Sequence, residues 1–324
     1  MDQRLKARLS PIEFLGVVTC LAFVGIFIWE FRMIGGYSAD FGGVYLVGRS
    51  SPGFYYGYWI LPLFTFLNLF PKEVSYAAWS LLTILSLLFA CRTFGGKTFL
   101  VLLSYQVLTI LFFGQISGIL AGGLALCWWG IAHRRWNIAG LGLLIAVTKF
   151  QVGLFLGGLL IWYAGVTWRV FLRMMIVPFV IGFISLLLYP FWPLEVLTKL
   201  LKFPYMHLGI TFWNYIGAWS LLFWIPALVL PLSKPQRFLS LFSLSMFAVP
   251  YFLQFDMITL FAFPIGWLPL LGNLGFLYPF YDLAILRIIV AIPLLIYLSI
   301  ILPVGQLLLR NFFCVPNPSE WVKR

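Results

Sequence analysis

Residues 117–149, SGILAGGLALCWWGIAHRRWNIAGLGLLIAVTK, decide how this chain folds, because one basic turn splits a long apolar stretch that ends on a lysine. The part before His133-Arg134-Arg135 contains no charged residue, and the part after that turn stays apolar until Lys149. Uncharged apolar runs of this size are typical of helices inside a lipid bilayer. The stretch therefore predicts membrane helices joined by a basic turn.

The composition of the whole chain agrees with this local pattern. Hydrophobic residues make up 63% of the 324 residues, and charged residues make up only 9%. A soluble domain has about 25% charged residues, which it needs to cover its surface. We therefore expect a single all-α integral membrane domain, residues 1–324, with about 9–11 spans. The apolar run Ile12–Phe31 lacks a small-residue cleavage site, so we interpret it as a retained first helix.

The net charge of +12 does not indicate a nucleic-acid partner, because the basic residues occur in short clusters between apolar runs. That distribution is the positive-inside pattern of membrane proteins. The four cysteines show no paired spacing, and the two histidines lie far apart. The sequence therefore predicts neither a disulfide framework nor a metal motif.

The charges also predict a topology. We expect the protein in the plasma (inner) membrane, with its basic N-terminus on the cytoplasmic side. Three further basic clusters are expected on the same side. These clusters are Arg92 to Lys97, His133 to Arg135, and Arg169 to Arg173. Helices near 73–91, 98–113 and 117–132 connect them with alternating direction. If segment 58–71 were an ordinary span, every later helix would cross the membrane in the opposite direction. We therefore expect an interfacial or re-entrant helix there, within one external segment, 32–72.

The stretch 138–165 raises the same problem of direction. The basic clusters before and after it can both lie on the cytoplasmic side only if the chain reverses within the stretch. Lys149-Phe150-Gln151 is the polar segment where such a reversal could occur. We therefore expect a broken hairpin, with a single helix as the alternative. Helices near 174–190, 215–232, 238–271 (one or two passes) and 284–309 follow, and an external loop at 191–214 carries basic residues. The side of the C-terminus stays open.

A few polar residues within the apolar mass are candidates for function, because ionisable groups at membrane depth are costly. Asp40 could act as a general base; it could equally be a solvated loop residue or a helix cap. Gln115 could donate a hydrogen bond into a cavity or occupy a polar turn. Lys149 needs a carboxylate, a phosphate or water as its partner, unless it extends to the membrane surface.

For the other polar residues, a functional and a structural interpretation are both open. Asp256 could contact substrate, or it could be a structural partner of Lys149 or of an arginine. The remaining cations could form a basic external rim, or they could be solvated or bound to lipid headgroups. These cations are Arg49, Lys199, Lys202 and His207.

The order of several short motifs resembles glycosyltransferase family 87 of the membrane-embedded GT-C superfold. The family uses polyprenyl-phosphate sugars as donors. Ser117 stands where the family often has Asn, Gln151 stands where it usually has Pro, and Ile216 replaces a Ser. The resemblance rests on Asp40-Phe41 through Tyr45, Gly53-Phe54-Tyr55-Tyr56, Gly114-Gln115, His133-Arg134-Arg135, Ala139-Gly140 through Lys149, Asn214, and Val249-Pro250-Tyr251 with Asp256.

The resemblance implies a GT-C-like bundle and a set of roles. Asp40 would deprotonate the acceptor hydroxyl on the external face. The donor phosphate would be bound by Lys149, Gln115, Arg49, Lys199, Lys202 and His207, and Asn214 and Asp256 would line the substrate cavity. The implied partners are membrane lipids, a polyprenyl-phosphate sugar, and a lipid or glycan acceptor. No Asp-x-Asp motif is present, so we expect a metal-independent reaction without a cofactor.

Two other functions stay open at this point. A transporter or lipid flippase would predict internal repeats with paired broken helices, and the sequence shows no convincing self-similarity. A non-catalytic membrane subunit that retains the fold would keep the same polar residues.

Overall fold

The computed structural model describes residues 9–34, 40–202, 211–248, 252–277 and 291–312, and their regular structure is entirely helical. The predicted all-α polytopic bundle is therefore confirmed. The α-helices in chain order are α1 Pro11–Ile34, α2 Leu61–Leu67, α3 Lys72–Phe94, α4 Thr98–Leu102, α5 Tyr105–Phe113, α6 Ser117–Ala132, α7 Trp136–Val147, α8 Phe150–Ala164, α9 Trp168–Leu188, α10 Trp192–Lys202, α11 Trp213–Ile216, α12 Trp224–Val229, α13 Lys234–Phe247, α14 Ile258–Phe261 and α15 Ala291–Phe312.

Three of the described helices, α1, α3 and α9, are long and apolar enough to cross a membrane. A fourth span forms if α5 and α6 are taken together, although these two helices meet at a bend of 111°. Most of the other apolar pieces have 10–17 residues. The predicted total of spans depends on these shorter pieces and stays a prediction.

Glycines hold the helices of the deciding stretch at very short distances. An added Cβ at Gly142 of α7 would lie 2.3 Å from the backbone nitrogen of Cys127 in α6. At Gly130 of α6 it would lie 2.5 Å from the nitrogen of Ala139 in α7. Because only glycine lets two backbones approach this closely, the small residues of 117–149 pack α6 against α7.

The predicted hairpin at 138–165 is confirmed. α7 ends at Val147, α8 begins at Phe150, and the chain reverses at Thr148-Lys149. The antiparallel arrangement is visible in the glycines of α8, since a Cβ at Gly153 would meet Ala146 at 1.9 Å and one at Gly157 would meet Leu143 at 2.6 Å. The two arms have 12 and 15 residues, about 18–22 Å at 1.5 Å per residue.

The segment after α1 folds back into the bundle. Its helix α2 has seven residues, about 10 Å, and is too short to cross a hydrocarbon core of about 30 Å. The prediction that 58–71 is not an ordinary span is therefore confirmed. Tyr45, Phe54 and Tyr58 of this segment are fully buried, and the Tyr45 ring stacks on Phe64 at 5.0 Å. The external placement of the segment stays a prediction.

Several predicted helix boundaries are wrong. The helix expected at 98–113 breaks at Ser104, whose hydroxyl accepts a hydrogen bond from the nitrogen of Val107 and so starts a new helix. The helix expected at 174–190 begins at Trp168, so it includes the basic cluster Arg169 to Arg173. Segment 191–214, predicted as a loop, contains the amphipathic helix α10. The helices expected near 215–232 and 238–271 are divided into short α and 3₁₀ pieces.

Helices α3, α6 and α8 end where α13 begins, and we call this end of the bundle the basic end. Ring contacts join these four helices there: Trp128 stacks on Tyr163 at 5.6 Å, and Tyr163 stacks on Phe238 at 4.4 Å. Phe263 stacks on Phe94 at 4.5 Å. The helix directions bring the predicted basic clusters 92–97, 133–135 and 169–173 to this same end, together with Lys234 and Arg237.

Replacing Gly142 by alanine should destabilise the protein, because the new methyl group would overlap the backbone of α6. We expect a loss of about 1–3 kcal/mol in the free energy of unfolding. Gly158→Ala in α8 is the matched control, since a Cβ at that position has nothing within 4 Å. Thermal unfolding in detergent should show a lower midpoint for G142A and an unchanged or slightly raised one for G158A. Equal midpoints would contradict the glycine packing described above.

Candidate active site

Asp40 contacts the turn between α5 and α6. Gln115 Nε2 donates a hydrogen bond to Asp40 Oδ2. Gly114 ends α5 in the left-handed conformation, with a φ of 66°, which a residue with a side chain rarely adopts. Its carbonyl accepts a hydrogen bond from Trp79 Nε1 at 2.8 Å. The Gly-Gln pair therefore ends a helix and aims an amide at the carboxylate.

Lys149 and Asp256 form a buried ion pair. Lys149 Nζ lies 2.6 Å from Asp256 Oδ1 and 2.8 Å from Oδ2. The two side chains are 1% and 0% exposed. Ser117 Oγ donates to Asp256 Oδ1 at 2.7 Å, and the backbone nitrogen of Leu253 donates to Oδ2 at 3.2 Å. Lys149 thus does not reach for the membrane surface, because a carboxylate compensates its charge within the bundle.

Three consecutive residues of one turn connect these features. Gln115 binds Asp40, the backbone nitrogen of Ile116 donates to Tyr45 Oη at 3.2 Å, and Ser117 binds Asp256. Tyr45 Oη in turn donates to Tyr56 Oη at 3.3 Å. Asp40, Gln115, Lys149 and Asp256, which lie far apart in sequence, are therefore brought into one polar cluster.

The two carboxylates of this cluster have different electrostatic surroundings. Asp256 faces an ammonium directly, whereas Asp40 has the neutral amide of Gln115. Burial raises the pKa of Asp40 above its ordinary value. The hydrogen bond from Gln115 and the attraction of Lys149 lower the pKa but do not cancel the effect of burial. A carboxylate with a raised pKa is a better proton acceptor.

An apolar groove begins beside the polar cluster. Its volume is about 500 Å³. At one end it reaches Ile116, between Gln115 and Ser117, and Thr148, next to Lys149. Trp59 Nε1 donates to Thr148 Oγ1 at 3.1 Å and forms the wall there. From this end the groove continues between α3, α6 and α7, along apolar residues that include Leu82, Phe89, Leu126 and Leu141.

The predicted rim cations that the structure describes are engaged with protein groups. Arg49 Nε lies 3.0 Å from Glu195 Oε2. Lys199 Nζ donates to the carbonyls of Arg49 at 2.8 Å and Ser51 at 3.2 Å, and it lies 3.3 Å from Glu195 Oε1. Tyr58 Oη also donates to Glu195 Oε1 at 2.7 Å. These contacts fasten α10 to the segment 48–58.

The other predicted site residues lie elsewhere. Asn214 is exposed on the short helix α11. Lys202 ends α10, but its side chain is not described, and His207 lies outside the described residues, as do Val249-Pro250-Tyr251. The phosphate-binding and cavity roles of these residues stay predictions.

Sequence reasoning missed several residues of the cluster. Trp59 was not singled out, Tyr45 and Tyr56 were named only within motifs of the resemblance, and Ser117 only as a departure from one. Glu195 was missed, although the amphipathic pattern of WPLEVLTKLLK at 192–202 could have indicated a surface helix. Within the described residues, no group of three or more His, Cys, Asp or Glu side chains has a geometry that could hold a metal.

Comparison with known proteins gives one finding. The model of glycosyltransferase family 87 matches residues 54–215, which is half of the chain. The matched range contains Gln115, Ser117 and Lys149, while Asp40 and Asp256 lie outside it. No curated protein and no solved structure matches the chain.

Removing one partner of the buried ion pair should be strongly destabilising. Asp256→Asn leaves the ammonium of Lys149 without a counter-charge, so we expect a loss of about 3–5 kcal/mol in unfolding free energy. The double variant Lys149→Met/Asp256→Leu should recover most of this loss, because it removes both charges. Arg32→Gln breaks the exposed pair of Arg32 and Glu73, 3.8 Å apart, and should change stability by less than about 1 kcal/mol. Equal losses for D256N and R32Q would refute the buried pair.

Proposed function

This chain belongs to glycosyltransferase family 87, and we propose that it transfers a sugar from a polyprenyl-phosphate donor to a lipid or glycan acceptor on the external face of the plasma membrane. The family assignment and the helical bundle make it a membrane glycosyltransferase. The observation that carries the finer proposal is the contact of Asp40 with Gln115, next to Lys149 and at the end of an apolar groove.

Asp40 is the general base of this proposal. The acceptor oxygen attacks the anomeric carbon while its proton passes to the Asp40 carboxylate. The bond between that carbon and the phosphate oxygen breaks, and the donor leaves as a polyprenyl-phosphate anion. One carboxylate is enough for such an inverting displacement. The hydrogen bond from Gln115 orients Asp40, and the raised pKa of the Asp40 carboxyl makes it more basic.

Lys149 is the proposed electrostatic partner of the departing phosphate, because a fixed cation near developing negative charge lowers the barrier. An ammonium has three N–H donors, and two of them point at Asp256. The third can bind a phosphate oxygen. Asp256 compensates the charge of Lys149 and holds it in place, which is consistent with a supporting role at the substrate cavity. Arg49, Lys199, Lys202 and His207 would add positive charge at the rim, the first two only after exchanging their present partners.

The apolar groove is the proposed site of the prenyl chain. Hydrocarbon walls with a polar cluster at one end match a lipid whose phosphate joins a long apolar chain. Because one end of the groove reaches Ile116 and Thr148, a chain inside it would place its phosphate close to Gln115 and Lys149. Donor specificity would then come from the groove, and chemistry from the cluster. The reaction is proposed to need neither metal nor cofactor.

A non-catalytic membrane subunit is the second candidate, and one observation favours it. Asp256 already neutralises Lys149 without a substrate, as in a purely structural pair. Absence of sugar transfer from every polyprenyl-phosphate donor, together with tight binding to another membrane protein, would establish that function.

Asp40→Asn should abolish transfer of labelled sugar from a polyprenyl-phosphate donor. Loss of a general base typically costs about 10²–10⁴-fold in rate. Glu73→Gln is the matched control, since Glu73 pairs with exposed Arg32 outside the cluster. In wild type the rate should fall as pH drops through the raised pKa of Asp40, so the acidic limb should lie above 3.8, the ordinary pKa of Asp. Equal turnover of D40N and wild type would rule out Asp40 as the base.

Leu82→Trp should weaken binding of long-chain donors, because Leu82 lines the groove. We expect the KM for a long-chain donor to rise about tenfold, since overpacking costs about 1–3 kcal/mol and 1.4 kcal/mol is tenfold. Leu81→Trp is the control: Leu81 is 43% exposed and Leu82 is 42% exposed, but only Leu82 is among the groove residues. A donor with a short prenyl chain should show little change. The same KM change in both variants would argue against the groove as the prenyl site.

A further inference from the structure

A second apolar cavity lies at the basic end of the bundle and has no part in the proposed reaction. Its volume is about 310 Å³. The ends of α3, α6 and α8, the start of α13 and the turn Phe263-Pro264 form its walls. Its lining includes Thr93, Trp128, Tyr163, Phe238 and Leu239.

The length of α8 separates this cavity from the polar cluster. α8 begins at Phe150, directly after Lys149, and Tyr163 lies near its other end. The helical rise between these two residues is about 20 Å at 1.5 Å per residue. A phosphate on Lys149 therefore cannot also contact the residues of this cavity, so the cavity is a separate site.

One polar group in the cavity wall lacks a partner. Thr93 is 6% exposed, and its Oγ1 has no hydrogen-bond partner among the described residues. A buried hydroxyl is normally satisfied by protein or by an occupant. A ligand that carries a hydrogen-bond acceptor next to a hydrocarbon chain would satisfy it.

Positive charge borders the same cavity. Lys234 Nζ lies 5.8 Å from the centre of the Tyr163 ring, and Lys234 has no ion pair within the described part of the chain. Arg237 Nη2 donates to the carbonyl of Leu230 at 3.0 Å, while its buried Nε has no hydrogen-bond partner among the residues that the structure describes. Lys234 and Arg237 flank Pro235, a lining residue, and Phe238 follows directly. Lys234 is therefore placed beside the cavity wall, and Arg237 lies three residues further along the start of α13.

We propose that this cavity binds an anionic phospholipid from the leaflet at the basic end. An acyl chain fills the space between Trp128, Tyr163 and Phe238. An ester carbonyl accepts the hydrogen bond of Thr93, and the phosphate lies against Lys234 and Arg237. An anionic lipid is the occupant because the basic clusters of the bundle gather at this end, and such clusters attract negatively charged headgroups.

Lipid retention measured by native mass spectrometry tests the proposal. The full-length protein is reconstituted in nanodiscs of equal phosphatidylglycerol and phosphatidylcholine, then released into detergent. Wild type should retain phosphatidylglycerol preferentially. Lys234→Gln should reduce this preference about fivefold, since one lysine near an anionic surface contributes about 1 kcal/mol. Arg169→Gln removes an equal charge at the same end, away from the cavity, and should leave the preference unchanged.

A second variant separates the cavity from the surface charge. Leu239→Trp fills the cavity without changing any charge, so it should abolish retention of both lipids at this site. Inorganic phosphate should not compete with retained lipid, because the acyl chain supplies part of the binding. An equal reduction in K234Q and R169Q, normal retention in L239W, or displacement by phosphate would overturn the proposal. Sugar transfer plays no part in these measurements, so they stand or fall independently of the proposed function.

Discussion

The charge of Lys149 is the constraint on which the rest of this structure depends. An ammonium within an apolar bundle costs several kcal/mol unless a counter-charge lies beside it. Asp256 supplies that charge from a segment more than a hundred residues later in the chain, with distances of 2.6 and 2.8 Å. Through Ser117, the same carboxylate is bound to the turn between α5 and α6. One ion pair therefore connects the α7–α8 reversal, the α5–α6 turn and the 3₁₀ turn Gln254–Met257.

This constraint explains why part of the fold was predictable from sequence. The positions of the basic clusters require the chain to reverse between 138 and 165, and Lys149 is the one residue there that a helix interior would not tolerate unpaired. The hairpin was predictable from the positions of these charges. The break at Ser104 and the division of 215–271 were not, because a single serine or a short polar run within apolar sequence does not by itself show that a helix ends there. Hydropathy alone identifies those segments as apolar without locating their ends.

The candidate site was predictable in its members but not in its connections. Asp40, Gln115, Lys149 and Asp256 stood out because each is a polar residue in an apolar context. The pairing of Asp256 with Lys149 was one of the alternatives that the sequence left open, but it could not be selected, since contacts between residues 75 and 107 positions apart leave no local pattern. The rim cations illustrate the converse problem. Arg49 and Lys199 looked available for phosphate, but Glu195, which carries no signal of its own in the sequence, pairs with both.

The two carboxylates show how one cluster can hold opposite tasks. Asp256 lies against an ammonium, so its negative charge is compensated and it serves to keep Lys149 in place. Asp40 receives a hydrogen bond from the neutral amide of Gln115, and burial raises the pKa of its carboxyl. Environments that separate two acidic groups in this way are characteristic of sites where one group accepts a proton and the other holds charge. Gln115 is central to that division because it orients Asp40 without neutralising it. A lysine at position 115 would give both carboxylates a cation and remove the difference between them.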